Sequence, residues 1–201
     1  MTVSANVVKE LREKTNAGMM DCKKALQESN GDLEKAVEIL RKKGQATAAK
    51  KIGRATKEGV IETYVHMGGK LGVMVEINCE SDFVARNEIF KVFTKDVAMQ
   101  IAAAKPIYVS IDEVPEDVKA KEREIYAEQL NQSEKDKNKP EQVKESIVEN
   151  KLKKYYEDNC LLEQPFVKDP NVKIKQLVEN VIVKLGENTT IKRFARFQVG
   201  E

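Results

Sequence analysis

The chain has 201 residues, enough to bury a hydrophobic core and to form one domain or two. Its 35 Lys and Arg residues almost cancel its 33 Asp and Glu residues, and a net charge of +2 argues against a dedicated nucleic-acid binder. It has no apolar leader segment and no apolar run near the roughly 20 residues that cross a bilayer, so we expect a soluble cytoplasmic protein with no membrane partner.

Three short helices open the chain and predict a three-helix bundle over residues 1–44. Ser4 is the expected N-cap of the first helix, a turn at 16–18 leads into the second, and Asp32 caps the third after an Asn30-Gly31 C-cap. Gly44 is expected to end the third helix. Its inward stripe is predicted as Leu33, Ala36, Val37 and Leu40. Three helices of this length are typical of a bundle of the ubiquitin-associated type.

The segment 45–57 is rich in Ala, Lys and Gly and is predicted to be a linker. A different architecture follows, which we predict as a core over residues 58–201. Two segments with apolar residues at alternate positions, Val60–His66 and Lys70–Cys79, predict a β-hairpin closed by Met67-Gly68-Gly69. The next helix, from Asn87 to Ala104, carries an apolar stripe of Ile89, Phe90, Phe93, Val97 and Ile101.

Two further helices joined by a Lys-rich connection at 132–140 predict a projecting helical hairpin over about 116–160. A helix at 172–185 and a strand at 190–199 complete the predicted elements. The predicted fold class is therefore α+β. It consists of the N-terminal bundle, the linker, and a core in which a small antiparallel sheet packs with helices.

The most informative segment is Ser81–Asn87, where the second strand of the hairpin gives way to a helix. One interpretation is an ordinary helix start, with Asp82 as the N-cap and Phe83 as the first core residue. The other is a loop held by rigid elements on both sides, which suits an action on another molecule.

The residues that common cofactors and covalent catalysis require are sparse. The sequence has no phosphate-binding loop of the Gly-x4-Gly-Lys-Ser/Thr type, so we expect neither direct GTP or GDP binding nor any other cofactor. The single histidine, His66, is expected to be structural or a surface edge residue, which leaves little for a metal site or a catalytic triad. Cys22 and Cys79 are predicted to act as small hydrophobes, whereas a contact or cross-link of Cys160 with another subunit is left open.

The run Ser81-Asp82-Phe83-Val84-Ala85-Arg86-Asn87 resembles the Thr-Asp-Phe-Val-Ala-Arg-Asn motif of the bacterial elongation factor Ts family, with Ser in place of Thr. The segments 11–26, 164–167 and 196–201 are also similar to that family, and the resemblance covers the whole chain. It implies a guanine-nucleotide exchange factor for elongation factor Tu, with no covalent chemistry of its own.

The resemblance also implies three sets of partner-binding residues. The exchange wedge comprises Ser81, Asp82, Phe83, Val84, Arg86 and Asn87. The N-terminal contact comprises Arg12, Met19, Met20 and Lys23, with Met19 as bundle core left as an alternative. The core contact comprises Phe166 and Val167, with Phe166 as an ordinary core residue left as an alternative.

The chain is similar to the short form of the family, because it carries one core module and stops at Glu201. The resemblance therefore implies a homodimer and a complex of two Ts with two Tu chains, and the role of the 116–160 hairpin in pairing is left open. Two rival functions are an adaptor without exchange activity and an RNA-binding protein that uses the basic residues of 50–57 and 135–139. The near-neutral charge counts against the second rival.

Overall fold

The structure, a computed structural model, describes residues 4–15, 17–136 and 138–201. Helices and sheet are both present, which confirms the α+β class. The chain forms two compact units, each assembled from three stretches. The first unit contains the stretch that ends at Val60 together with Asn78–Phe93 and Leu177–Thr190, and the second contains Ile61–Ile77, Thr94–Gln176 and Ile191–Glu201. The predicted division into a bundle (1–44), a linker (45–57) and a core (58–201) follows the order of the chain and does not correspond to these two units. It stays a prediction.

The first unit opens with three helices, α1 (Ala5–Thr15), α2 (Met19–Glu28) and α3 (Leu33–Ala49). Each of them contributes apolar side chains to one shared core, as the predicted bundle requires. The buried residues of this core are Val8, Leu11, Cys22, Ala25, Leu26, Ala36 and Leu40.

Three predicted helix ends, at Ser4, Asn30-Gly31 and Asp32, are confirmed. The Ser4 hydroxyl accepts a long 3.5 Å hydrogen bond from the Val7 N–H, and the Asp32 carboxylate accepts one of 3.1 Å from the Lys35 N–H. Asn30 and Gly31 both have positive φ, of 55° and 87°, and close α2 with a Schellman-type pair of backbone hydrogen bonds. Residue 16 of the predicted turn lies outside the described residues.

Two expectations for the third helix were wrong. Gly44 does not end α3, which continues to Ala49, because Gln45-Ala46-Thr47-Ala48-Ala49 contains strong helix formers and one internal glycine costs only about 1 kcal/mol. Val37 is 36% exposed, so it lies at the edge of the apolar stripe, and Ile39 packs partly buried against the core instead.

A three-stranded sheet has the order β1–β2–β5, with β1 spanning Glu58–Val65, β2 spanning Leu71–Cys79 and β5 spanning Thr189–Gln198. The hairpin between β1 and β2 is confirmed, since the His66 N–H donates to the Leu71 carbonyl at 2.9 Å. Alternate residues of β2 are buried, as its period-two pattern predicts. A second, two-stranded antiparallel sheet joins β3 (Pro165–Phe166) to β4 (Asp169–Lys173).

The remaining helices are α4 (Asp82–Ala85), α5 (Glu88–Ala104), α6 (Glu116–Gln132), α7 (Glu141–Asn159) and α8 (Ile174–Leu185). The prediction that Ile89 of α5 faces inward was wrong, since it is 43% exposed, whereas Phe90 beside it is fully buried. Helices α6 and α7 form the predicted hairpin and are joined by an ion pair of 2.9 Å between Arg123 and Glu149. Within the described ranges, no helix combines the length and the apolar character that crossing a bilayer requires.

Candidate functional site

The Ser81–Asn87 segment forms a single helical turn, α4, between β2 and α5. Ser81 has extended backbone angles (φ −133°, ψ 158°) and is the N-cap, so the interpretation of Asp82 as the N-cap was wrong and Asp82 is the first helical residue. Asn87 caps the next helix, because its side-chain oxygen accepts a hydrogen bond of 2.9 Å from the Ile89 N–H. The turn is thus tied to a regular element at each end.

Phe83 points away from the interior of the first unit. Its side chain is 82% exposed, whereas Val84 and Ala85 are only 7% and 8% exposed. Successive helical residues are about 100° apart around the axis, so a one-turn helix that buries Val84 and Ala85 must turn Phe83 outward. The interpretation of Phe83 as a core residue was therefore wrong. Val84, predicted as a contact residue, instead anchors the turn from within.

The polar groups around Phe83 are held in place by short contacts. Arg86 lies 3.0 Å from the Asp82 carboxylate as an i,i+4 ion pair on the exposed side of α4. The Ser81 N–H and O–H both donate to the Glu187 carboxylate, at 2.9 and 2.7 Å. The Cys79 thiol donates to the Ser81 carbonyl oxygen at 3.1 Å. The exposed Phe83 ring and the partly exposed Asp82 carboxylate therefore lie on a turn that the hydrogen bonds between Ser81 and Glu187 hold in place.

The predicted N-terminal contact residues are all exposed and lie on α1 and α2 of the first unit. Met19 is 48% exposed and Met20 is 63% exposed, so the alternative that Met19 belongs to the bundle core was wrong. Arg12 on α1 and Lys23 on α2 are exposed as well. Methionine adapts well to an imperfectly matched surface, so two such side chains suit a contact with a helix.

The predicted core contact belongs to the second unit. Phe166 is buried at 6% exposure, in line with its alternative as a core residue, whereas Val167 is 44% exposed. Both line a cleft of about 470 Å³ together with Pro165 and Pro170. Of the pair, only the side chain of Val167 offers substantial surface to another molecule.

Gln100 of α5 holds the backbone of β3 and of the following residue, Val167, in place. The sequence did not predict this role. It is fully buried, its side-chain oxygen accepts a hydrogen bond of 2.8 Å from the Val167 N–H, and its amide donates to the Pro165 carbonyl at 3.2 Å. Its position next to Ile101, on the apolar stripe of α5, could have indicated a buried polar residue. Such residues are normally hydrogen-bonded, so a structural partner could have been expected.

Glu187, together with Glu80 and Asn188, was also missed. The Asn188 N–H donates to the Glu80 carboxylate at 2.6 Å, just as Ser81 donates to Glu187. The residues of each pair are more than 100 positions apart, at 106 for Ser81–Glu187 and 108 for Glu80–Asn188. No local sequence pattern could have linked them.

The cysteines and the histidine show little sign of chemical activation. All three cysteines are buried, so the alternative of a cross-link through Cys160 was wrong. Burial raises the pKa of the Cys79 and Cys160 thiols to about 11, which disfavours the reactive thiolate. His66 is confirmed as a surface residue at a strand end, with a ring nitrogen 2.9 Å from the Tyr64 hydroxyl. Among the described residues, no cluster of His, Cys, Asp or Glu is arranged to hold a metal ion.

Comparison with known proteins covers the chain from end to end. A model of the family described as elongation factor TS matches residues 1–201. The chain is 59% identical to elongation factor Ts of Fervidobacterium nodosum over 201 residues, which is all of both chains. It is 56% identical to the protein of the same name from Carboxydothermus hydrogenoformans, covering 99% of this chain and 90% of the relative. It is also 56% identical to elongation factor Ts of Thermodesulfovibrio yellowstonii, covering 100% of this chain and 98% of the relative. The chain therefore belongs to the elongation factor Ts family of translation elongation factors.

Proposed function

We propose that the chain is a guanine-nucleotide exchange factor that promotes release of GDP from elongation factor Tu in the cytoplasm. The observation that carries this proposal is the 82% exposure of Phe83 beside Asp82, on a turn whose neighbouring residues are buried. A large ring left in water on a rigid support is costly unless another molecule covers it. The proposed activity involves no covalent step, and the chain does not bind the nucleotide itself.

Exchange requires only a difference in affinity between two states of the GTPase. A GTPase holds its nucleotide through a phosphate-binding loop and a Mg²⁺ ion that bridges phosphates to protein. A factor that binds the nucleotide-free conformation more tightly than the loaded one must weaken nucleotide binding by the same factor, since the two equilibria are linked. Rebinding of GTP then releases the factor.

In this proposal the side chains of Asp82, Phe83, Arg86 and Asn87 have separate tasks. The Phe83 ring, inserted in an apolar crevice near the Mg²⁺ and phosphate region, supplies about 2–3 kcal/mol from burial. Asp82 adds directed hydrogen bonds or repels acidic groups that hold the metal. Arg86 orients Asp82 through their ion pair of 3.0 Å, and Asn87 fixes the start of α5. Displacement of elements around the metal then loosens GDP.

Two further contacts complete the proposed interface. Arg12, Met19, Met20 and Lys23 are each exposed on the bundle, and we assign them to a contact with a helix of the GTPase domain. Val167, at the rim of the cleft in the second unit, contacts another domain of the same GTPase. Phe166 supports Val167 from the interior.

We also propose that two copies of the chain pair into a homodimer, so that the complex contains two factors and two GTPase molecules. The surface we assign to this contact is the outer face of that part of the three-stranded sheet which belongs to the second unit. Glu62 of β1 accepts a hydrogen bond of 3.0 Å from buried Thr94 of α5, so Ile61 and Val65 face the opposite side. The exposed apolar residues of this face are Ile61, Val65, Met74 and Phe197.

The charges on this outer face favour a second copy as the occupant. Arg193 of β5 lies 2.7 Å from Glu76 of β2, so a base and an acid on this face offset each other. Two copies related by a two-fold axis would present this balanced pair to each other and would cover the apolar strands by sheet-on-sheet packing.

The test of the exchange function is release of a fluorescent GDP analogue from elongation factor Tu, with and without the protein. We expect strong acceleration by the wild type, most of which is lost in Phe83→Ala. The matched control is Ile107→Ala, which truncates another apolar side chain of 61% exposure and should leave release unchanged.

The rival functions give different results in the same assay. A folded protein that binds the GTPase without faster release would refute the exchange proposal and favour an adaptor. Binding to tRNA or rRNA that weakens steeply with salt, without faster release, would instead favour the RNA-binding alternative.

The dimer is tested by light scattering on size-exclusion fractions. We expect Phe197→Glu to convert a dimer into a monomer, because a carboxylate would be buried in the proposed contact. Val143→Glu, on helix α7 at a side chain of 42% exposure, should leave the dimer intact. A monomeric wild type would refute the dimer, and dissociation by Val143→Glu alone would move the contact to the helical hairpin.

A further inference from the structure

The turn that presents Phe83 is held by a carboxylate from a distant part of the chain. Glu187 lies between α8 and β5, and its two oxygens have separate donors on one residue. One oxygen accepts the Ser81 N–H at 2.9 Å, and the other accepts the Ser81 O–H at 2.7 Å. Hydrogen bonds to a charged group are about twice as strong as those between neutral groups. Both donors of the residue immediately before Asp82 are therefore fixed by a single side chain.

A second carboxylate links the segment around Ser81 to the segment around Glu187. Here the side chain comes from the first segment and the backbone N–H from the second. Glu80, next to Ser81, accepts the Asn188 N–H at 2.6 Å, and Asn188, next to Glu187, is only 1% exposed. The Asn188 side-chain amide also donates to the Arg54 carbonyl at 2.8 Å. All of these residues belong to the first unit. Each turn thus holds the backbone of the other.

Helix α4 needs such a support because it consists of only four residues. Forming a single helical turn is unfavourable on its own, since it fixes several backbone angles for few hydrogen bonds. The usual local remedy is an N-cap side chain, but the Ser81 hydroxyl makes no capping bond and is used for Glu187. The direction of Phe83 therefore depends on what holds Ser81.

We propose that Glu187 is a positioning residue for nucleotide exchange, which holds Ser81 so that Asp82 and Phe83 meet the GTPase in one fixed orientation. This inference rests on the proposed exchange function. Glu187 need not touch the GTPase or the nucleotide; it acts through the two hydrogen bonds to Ser81. Its removal would leave Phe83 on the surface but free to adopt several orientations.

The first test measures the turn itself, without the GTPase. Hydrogen exchange followed by mass spectrometry is compared for wild type, Glu187→Ala and Glu38→Ala, the last removing an exposed glutamate of α3 that pairs with Lys42. We expect faster exchange in Glu187→Ala only for peptides that cover Ser81–Arg86, with the bundle peptides unchanged. Wild-type protection of that segment in Glu187→Ala would overturn the inference.

The second test measures GDP release from elongation factor Tu as a double-mutant cycle of Glu187→Ala and Phe83→Ala. We expect Glu187→Ala to lower the maximal rate about tenfold, and Phe83→Ala to cost much less in that background than in wild type. A merely structural role would lower thermal stability but leave the two effects additive, and additivity would overturn the inference.

The outcomes separate this inference from the proposed function. If the wild type does not accelerate GDP release, the exchange function is refuted and the positioning role is refuted with it. If the wild type accelerates release and Phe83→Ala abolishes this while Glu187→Ala does not, only the inference fails. Should Glu187→Ala not fold, Glu187→Gln keeps the side-chain volume and one acceptor oxygen, and it must show the same non-additivity in weaker form for the inference to stand.

Discussion

Replacing Gly44 by alanine should stabilise the protein. Gly44 lies inside α3, where its φ is not positive, so alanine fits the backbone without strain. A Cβ atom built there would meet a methyl group of Val183 at 3.7 Å, an ordinary van der Waals contact that needs no rearrangement. Glycine in a helix interior is about 0.5–1 kcal/mol less favourable than alanine, and no clash reduces that gain.

The expected gain corresponds to a rise in Tm of about 1–4 °C for a chain of this size. It is measured by thermal and urea unfolding of Gly44→Ala followed by circular dichroism. The matched control is Gly31→Ala, where φ is 87° and a Cβ atom has open space around it. That variant should lose about 1 kcal/mol from backbone strain alone. A neutral or destabilising Gly44→Ala, alongside the expected loss in Gly31→Ala, would refute the reasoning that α3 tolerates Gly44 only at a cost.

Three further predictions concern buried polar groups, thiols and a helix cap. Gln100→Leu should destabilise the protein by about 2–4 kcal/mol in urea unfolding, because the Val167 N–H and the Pro165 carbonyl lose their partner, whereas exposed Gln142→Leu should change little. The native thiols should react with a chromogenic disulfide reagent far more slowly at pH 8 than in denaturant, since all three are buried; rapid labelling of the folded protein would contradict this. A backbone hydrogen bond from Lys35 holds the pKa of Asp32 below its ordinary value, so the cap stabilises the fold above about pH 4 and loses its effect as the pH falls through the lowered pKa. The Tm difference between wild type and Asp32→Ala should therefore be present at pH 7 and shrink as the pH falls below 4, and a difference that stays unchanged down to pH 2 would count against the cap.

Local patterns predicted local structure well. Ser4, Asp32 and Asn30-Gly31 mark helix ends through hydrogen bonds that span only a few residues, and the structure contains those bonds. Period-two alternation likewise identified the buried face of β2. In both cases the residues that cause the structure lie next to each other in the sequence, so the sequence displays the cause directly.

The failures have two physical origins, a local propensity that was misjudged and tertiary contacts. Gly44 was read as a helix end from its propensity, but the Ala-rich segment after it and packing beside Val183 favour continuation of α3. Ile89 was assigned to the apolar stripe of α5, but the buried residues of that stripe begin one position later, at Phe90. The support that Glu187 gives to the turn carrying Phe83 depends on a residue far along the chain, which periodicity does not reveal.

The two hydrogen bonds between Ser81 and Glu187 set an order for folding during synthesis. Helices α1 to α3 pack on one another through nearby sequence, so the bundle can form while the rest of the chain is still being translated. The turn that carries Phe83 emerges early as well, but its partner Glu187 follows 106 residues later. A nascent chain therefore acquires a folded bundle long before it can hold its aromatic ring in place. Under the proposed exchange function, the segment containing Glu187 must leave the ribosome before a new copy can act on the GTPase.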